Sequence, residues 1–266
     1  MASHYMRKAI QAGWDEMSRD YQNQTAISVE DVHYGPLCPG ESELQILGDV
    51  RGKRILDIAC GGAQNAIALA NMGAEVFAID FSRNQIAHAR RLIGENSSSV
   101  ELIMADAEHL AFLKSDQFDI VMSVFGWEFF TDLALCFEEC ARILKEEGLL
   151  IVGTVHPLTA FEWDMDDNFL MVTDYFHPPV EIWEDLQGEY DKSGMTFFHS
   201  FESMFGMLTE SGFKIERIVE PYPYTPLELN ETGGIKAPYG GPFWEGQYER
   251  LSKIPFSIVY KAMKVL

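Results

Sequence analysis

The chain has 266 residues, 47% of them hydrophobic and 23% charged, and a formal net charge of −21. That length buries a full core, as one large domain or as a domain with an elaborated cap. The acidity argues against a nucleic-acid or anionic-membrane partner, because neutralising phosphates takes clustered Lys and Arg, and no apolar run approaches the ~18 residues of a membrane span.

Residues 1–43 are predicted to hold a helix, "MRKAIQAGWDEMSRDYQ", and a loop containing "YGPLCPG". The opening "MASHYMRKAI" lacks the apolar centre of a signal peptide. Four cysteines without a Cys-x-x-Cys pair point to a reducing, cytoplasmic compartment. Cys136 and Cys140, four apart on a predicted helix, are read as packing residues, and no metal site is expected.

From Arg54 to Val155 short apolar strands alternate with helices. "RILDIAC" precedes a helix through "NAIALANM", which Gly73 stops. "AEVFAID" precedes "SRNQIAHARRLI", where Ser82 and Gln85 form a capping box. "VELIMAD" and "FDIVMSVF" follow, then the helix "DLALCFEECARILKEE" and the strand "GLLIVGTV". Such alternation means βαβ units and a parallel sheet with helices on both faces, its strands apolar on both sides.

The pattern breaks at His156. Residues 156–199 are rich in aromatics, Met, Asp and Pro without a clean period, and read as an inserted cap over substrate. In the last part, 200–266, a helix "FESMFGMLTESG" leads to the strand "FKIERIVE". A Pro/Gly-rich loop over 221–254 then precedes "PFSIVYKAM". Charged residues interrupt those two strands, so they belong towards the end of the sheet and are expected to run antiparallel. The expected fold is α/β, a Rossmann-like, mostly parallel seven-stranded sheet built on residues 44–155.

The turn "ILDIACGGAQN" after the first strand lies where such sheets bind ligands. As a dinucleotide Gly-x-Gly-x-x-Gly motif it keeps only Gly61, against Ala59 and Gln64. As Gly-x-Gly-x-Gly it reads Ala59-Cys60-Gly61-Gly62-Ala63 and keeps the central glycine. An alanine at positive φ costs roughly 1–2 kcal/mol, so Ala59 and Ala63 are expected at negative φ, with Gly61 or Gly62 taking any left-handed conformation. No Lys or Arg occurs from Ile55 through Ser82, which suits a ligand without phosphate, although helix N-termini can bind phosphate unaided. Asp57 is placed to accept from an ammonium group, or only to cap the next helix. Asp80, ending the second strand, is where an acid bonds ribose hydroxyls. Ribose, an amino-acid ammonium and a sulfonium together describe S-adenosylmethionine.

The stretch "ILDIACGGAQNAIALANMGAEVFAIDFSRNQIAHARRL" resembles the nucleotide-binding half of class I S-adenosylmethionine-dependent methyltransferases, especially the small-molecule, type 11 or UbiE-like group. Their motif reads roughly Leu-Asp-x-Gly-Cys-Gly-x-Gly, with a later acid ending the second strand. The resemblance implies that the loop underlies the methionine part, that Asp80 holds the ribose, and that Phe81 beside it belongs to the cofactor site. "ADAEHL" is similar to the family segment that puts Asp106 on the adenine amino group and Ala107 along the ring. "SVFGWEFFTD" places Val124, Phe125 and Gly126 beside the cofactor in the same way. "ECARILKEEGLLIV" resembles the "ARvLkpGG" turn with Glu146-Glu147 in place of Pro-Gly, a departure expected to touch only the turn. Tyr21 resembles an aromatic that closes over the cofactor from the N-terminal helix, with ordinary packing as the other reading.

Methyl transfer is an in-line displacement on an activated leaving group. Orientation alone supplies on the order of 7–11 kcal/mol, so no acid or base is obligatory. For a hydroxyl acceptor a base helps, and histidine suits the role. His199 and His156 are the catalytic candidates. His33 and Tyr34, with Trp163, Tyr175 and Phe176 of the insertion, are the candidates for contacting substrate; Phe161, Phe169 and Trp183 are further pocket candidates. The expected activity moves a methyl from S-adenosylmethionine to O, N or C of a small molecule and leaves S-adenosylhomocysteine. Its alternatives are a nicotinamide-dependent oxidoreductase and a catalytically silent S-adenosylmethionine-binding module. Monomer and homodimer both remain open.

Overall fold

Seven strands form the central sheet: β1 (Arg54–Ile58), β2 (Glu75–Asp80), β3 (Val100–Met104), β4 (Phe118–Val124), β5 (Leu144–Val155), β6 (Phe213–Val219) and β7 (Ser257–Lys264). The computed structural model describes residues 2–183, 194–231 and 237–265; parts of the expected cap and of the 221–254 loop, and the Trp183 side chain, lie outside the described residues. Strand order is β6-β7-β5-β4-β1-β2-β3. The pairs from β5 through β3 are parallel, while β7 runs antiparallel to both β5 and β6. The expected sheet, with its two terminal antiparallel strands at one end, is the one observed.

Five longer helices flank it: α1 (Ala2–Gln24), α2 (Gln64–Asn71), α3 (Arg83–Glu95), α4 (Leu133–Ile143) and α5 (Phe201–Glu210). Successive strand side chains point to opposite faces. Leu56 and Ile58 of β1 accordingly join Val121, Phe137 and Leu150 in one core, whereas Ile55 joins Ile120, Ile151, Ala66 and Leu69 in the other. Cys136 and Cys140 are buried in the first core, as packing residues should be. Local chemistry starts three of the helices. Ser82, Asp132 and Ser200 each accept, through their side chains, an N–H from the first turn of α3, α4 and α5, a cap worth about 1 kcal/mol.

Two boundaries differ from expectation. Helix α4 ends at Ile143, because Leu144 pairs with Phe118 as strand. The ladder slips between there and the Ile120–Leu149 pair, and Glu147 takes φ 57° inside that irregularity. Helix α1 starts earlier and ends later than predicted. The insertion contains a hairpin, Glu162–Asp164 with Phe169–Met171, and an antiparallel pair, Glu181–Trp183 with Gly194–Thr196. Strand Gly194–Thr196 packs on α1 and on the turn Trp127–Phe129 after β4, where the Phe197 N–H donates to the Glu128 carbonyl at 2.8 Å. Among the described residues no helix is long and apolar enough to cross a membrane.

Candidate active site

At the C-terminal ends of β1, β2 and β4 the chain leaves a cavity, where open α/β sheets bind their ligands. The turn between β1 and α2 forms its floor. Cys60 N–H donates to the Ile79 carbonyl (2.9 Å) and Ala63 N–H to the Cys60 carbonyl (2.8 Å). Gly61 N–H donates to Asp80 Oδ2 (2.8 Å). These bonds hold Ala59, Gly61 and Ala63 at φ of 51°, 54° and 62°. Gly61 is left-handed as expected; the alanines are not at negative φ. The turn alternates left-handed residues, and its hydrogen bonds and packing override the alanine penalty. Space explains the tolerance at Ala59, since a Cβ on Gly126 would stand 2.6 Å from the Ala59 Cβ. A fourth left-handed residue, Phe125 (φ 62°), follows β4.

Asp80 is buried, and its second oxygen accepts from Ser82 N–H at 2.8 Å. Burial pushes its carboxyl up to about 6 against the pull of the backbone donors at Ser82, Gly61 and Phe81. Asp57 beneath the turn is pushed up to about 8 by burial and by the Asp80 charge. It does not cap α2, whose N-cap is Ala63 without a side-chain bond. Two buried carboxyls therefore stand at the floor, and among the described residues no Lys or Arg lines the cavity. That donor set fits the cationic, phosphate-free ligand expected from sequence.

Of the expected cofactor residues, Tyr21, Ala59, Gly61, Gly62, Asp80, Phe81, Asp106, Ala107, Val124 and Phe125 line this cavity. Asp57 lies behind them. Asp106 Oδ1 accepts from Glu108 N–H (2.9 Å), and Glu108, also on the wall, accepts from the Thr131 N–H and hydroxyl.

The acceptor-side expectations divide. His33 lines the cavity. Tyr34 does not: it is fully buried and donates to Glu41 Oε2 at 2.7 Å. Trp163, Tyr175 and Phe176 are absent from the wall as well. The Trp163 ring lies under the Lys253 ammonium (5.7 Å), and Tyr175 packs on Phe176, which is 79% exposed. Neither catalytic candidate reaches the cavity. His156 Nδ1 accepts from Leu158 N–H (3.2 Å), so its proton sits on Nε2 and donates to Glu220 Oε1 (3.0 Å). That ring caps the turn Pro157–Ala160. His199 is largely buried before α5, with Nε2 sealed and unpartnered and its affinity for protons lowered by burial.

Sequence reasoning overlooked much of the lid. Trp14, Gln22, Phe129 and Phe130 line the cavity, and the Trp14 ring stands edge-on to both Tyr21 (5.5 Å) and Phe129 (5.2 Å). Trp14 and Tyr21 are seven apart in α1, two helical turns on one face, which is a readable signal. Gln22 Nε2 donates to Gln85 Oε1 (3.0 Å), and its own Oε1 accepts from Gln64 Nε2 (2.6 Å). The capping box is thus half formed: Ser82 accepts the Gln85 N–H (3.2 Å), but the Gln85 amide goes to α1. Glu128, buried beside the cavity, accepts from the Thr154 hydroxyl (3.0 Å), and burial pushes it up to about 7.

A mostly parallel sheet of this order, with a cavity over an acid-floored turn, matches the Rossmann-like fold of methyltransferases. Residues 56–152 match the family described as methyltransferase domain. The chain is 24% identical over 178 residues to the uncharacterized methyltransferase YbaJ of Bacillus subtilis, covering 64% of this chain and 69% of that one. It is 37% identical over 105 residues to the ubiquinone biosynthesis O-methyltransferase of a Chelativorans species, covering 40% of this chain and 41% of the relative, less than half of its length. Among solved structures, an S-adenosylmethionine-dependent methyltransferase from Listeria monocytogenes, described as putative, superposes with a TM-score of 0.66 at 23% identity, over 84% of this chain and 95% of that one. The match to a methyltransferase domain spans residues 56–152, and S-adenosylmethionine is the cofactor that this match supports. The nicotinamide reading is set aside.

Proposed function

We propose that the protein methylates O, N or C of a small-molecule acceptor inside this cavity. The observation that carries the proposal is the make-up of one cavity wall: the Gly61 turn with the carboxyls of Asp80 and Asp106, and aromatic rings at Trp14, Tyr21, Phe125 and Phe129. Bound there, S-adenosylmethionine supplies an electrophilic methyl on a sulfonium sulfur. Asp57 and Asp80 favour its positive charge, and Asp106 and Ala107 line the part expected to face adenine. Helix α1 closes the cavity through Gln22 and excludes water from the reacting centre. Orientation and desolvation then carry the rate, with no obligatory acid or base. Small-molecule enzymes among the relatives, the ubiquinone biosynthesis O-methyltransferases, support an acceptor of this kind. A cytoplasmic setting is in keeping with four free cysteines.

The test has two stages. Mass spectrometry of the purified protein should find retained S-adenosylmethionine or S-adenosylhomocysteine. A screen of metabolites by S-adenosylhomocysteine release should then yield at least one methylated product. Retained cofactor without any product would favour a silent binding module.

A further inference from the structure

We propose that the acceptor is a flat, largely apolar molecule without negative charge that presents one hydrogen-bonding group to His33. The proposal rests on the methyltransferase reading and names its substrate class.

His33 is the histidine on the cavity wall. Its backbone is pinned, with its N–H donating to Asn65 Oδ1 at 3.0 Å. The ring lies near-parallel to Phe125, 25° between planes and 6.1 Å between centroids, and meets Tyr239 edge-on at 5.0 Å. Tyr239 and Phe125 continue into Phe256 and Trp244, which lock that edge of the ring. Yet neither ring nitrogen has a hydrogen-bond partner among the described residues. Nδ1 is sealed without one, so Nε2 is the nitrogen left open towards the cavity.

Nε2, open to the cavity, can bond a polar group of a ligand in exchange for water. Burial also holds the imidazole down at about 3, so it stays neutral at physiological pH. It therefore offers a hydrogen bond but no positive charge to an anion. Trp14, Tyr21, Ile27, Phe125, Phe129 and Phe130 on the wall are uncharged, and the charge that reaches Tyr21 and Tyr239, from Glu128, is negative. An acceptor bearing carboxylate or phosphate there would be desolvated without a counter-ion. Flat apolar surface against these rings would be rewarded instead.

Three probes of one shape and different charge separate the outcomes: 2-naphthol, 2-naphthoate and 2-naphthylmethylamine, titrated calorimetrically into the full-length protein saturated with S-adenosylhomocysteine. 2-Naphthol and 2-naphthylmethylamine should each bind at least about tenfold tighter than 2-naphthoate. His33→Phe should weaken 2-naphthol about tenfold, and His33→Gln should restore part of the loss. The His33 ring signals in ¹⁵N-histidine NMR should move on addition of 2-naphthol. Equal or tighter binding of 2-naphthoate, binding of none, or unchanged affinity in a folded His33→Phe would overturn the proposal. Affinity for S-adenosylhomocysteine is measured first, so its loss would count against the methyltransferase reading instead. A His33→Phe protein that does not fold leaves the charge series and the NMR shift to decide.

Discussion

The Asp80 carboxylate accepts the Gly61 N–H at 2.8 Å, joining the end of β2 to the turn after β1. The same carboxylate accepts from Ser82, so one buried side chain sets both the cavity floor and the entry to α3. Asp80→Ala should weaken S-adenosylmethionine binding at least about tenfold through the loss of charge-assisted hydrogen bonds. Calorimetric titration checks it, and unchanged affinity would refute the placement of the cofactor.

Asp57 and Asp80, held up at about 8 and about 6, exceed the ~3.9 of an unfolded aspartate. The native ligand-free protein thus binds these protons more tightly than the unfolded chain. Their stabilising contribution is complete below about pH 4 and is lost as pH rises through about 6 and then about 8. The ligand-free melting temperature should fall between about pH 5 and about pH 8.5, and less steeply in Asp57→Asn. Cofactor binding should tighten over the same window, because a cation favours the ionised carboxyls. Scanning calorimetry with and without cofactor would expose a profile of the wrong sign.

A Cβ on Gly126 would stand 2.6 Å from the Ala59 Cβ and 2.5 Å from Ser123 Oγ. Gly126→Ala should destabilise the protein by about 1–3 kcal/mol through overpacking. Adding Ala59→Gly should recover part of that loss, since it removes the opposing methyl and relieves a left-handed alanine. Melting curves of the two single variants and the double variant measure the coupling; strict additivity would contradict it.

His156 and Glu220 bond to each other away from the cavity. His156→Ala should lower the melting temperature by roughly 2–4 °C, the worth of a cap of about 1 kcal/mol. It should leave methyl transfer near the parent rate. A collapse of turnover at unchanged stability would return His156 to the reaction.

Gln22 ties α1 to the first turns of α2 and α3. Gln22→Ala should loosen that lid and speed release of S-adenosylhomocysteine several-fold, roughly the effect of one lost polar bond of about 1 kcal/mol. Stopped-flow dissociation reads it directly, and an unchanged off-rate would show that α1 does not gate the cavity.

The sheet and its ligand-binding edge were legible in the chain because their causes are local. Apolar runs such as Ile55–Ile58 and Ile120–Met122 must be strands buried on both faces, and Ser82 and Ser200 cap helices through neighbours only three residues away. Asp80 and Gly61 followed from the same strand ends. What sequence could not decide was any side chain whose partner is distant. The left-handed Ala59 depends on space left by Gly126, more than sixty residues on in the chain. Trp163 and Phe176 sit in a segment without periodicity, so nothing local said which way they face. His33 and His156 are alike as residues; only packing puts one on the cavity wall and the other on Glu220. Backbone pattern is written by near neighbours in the chain, whereas the choice of acceptor-facing groups is made by contacts that exist only once the chain has folded.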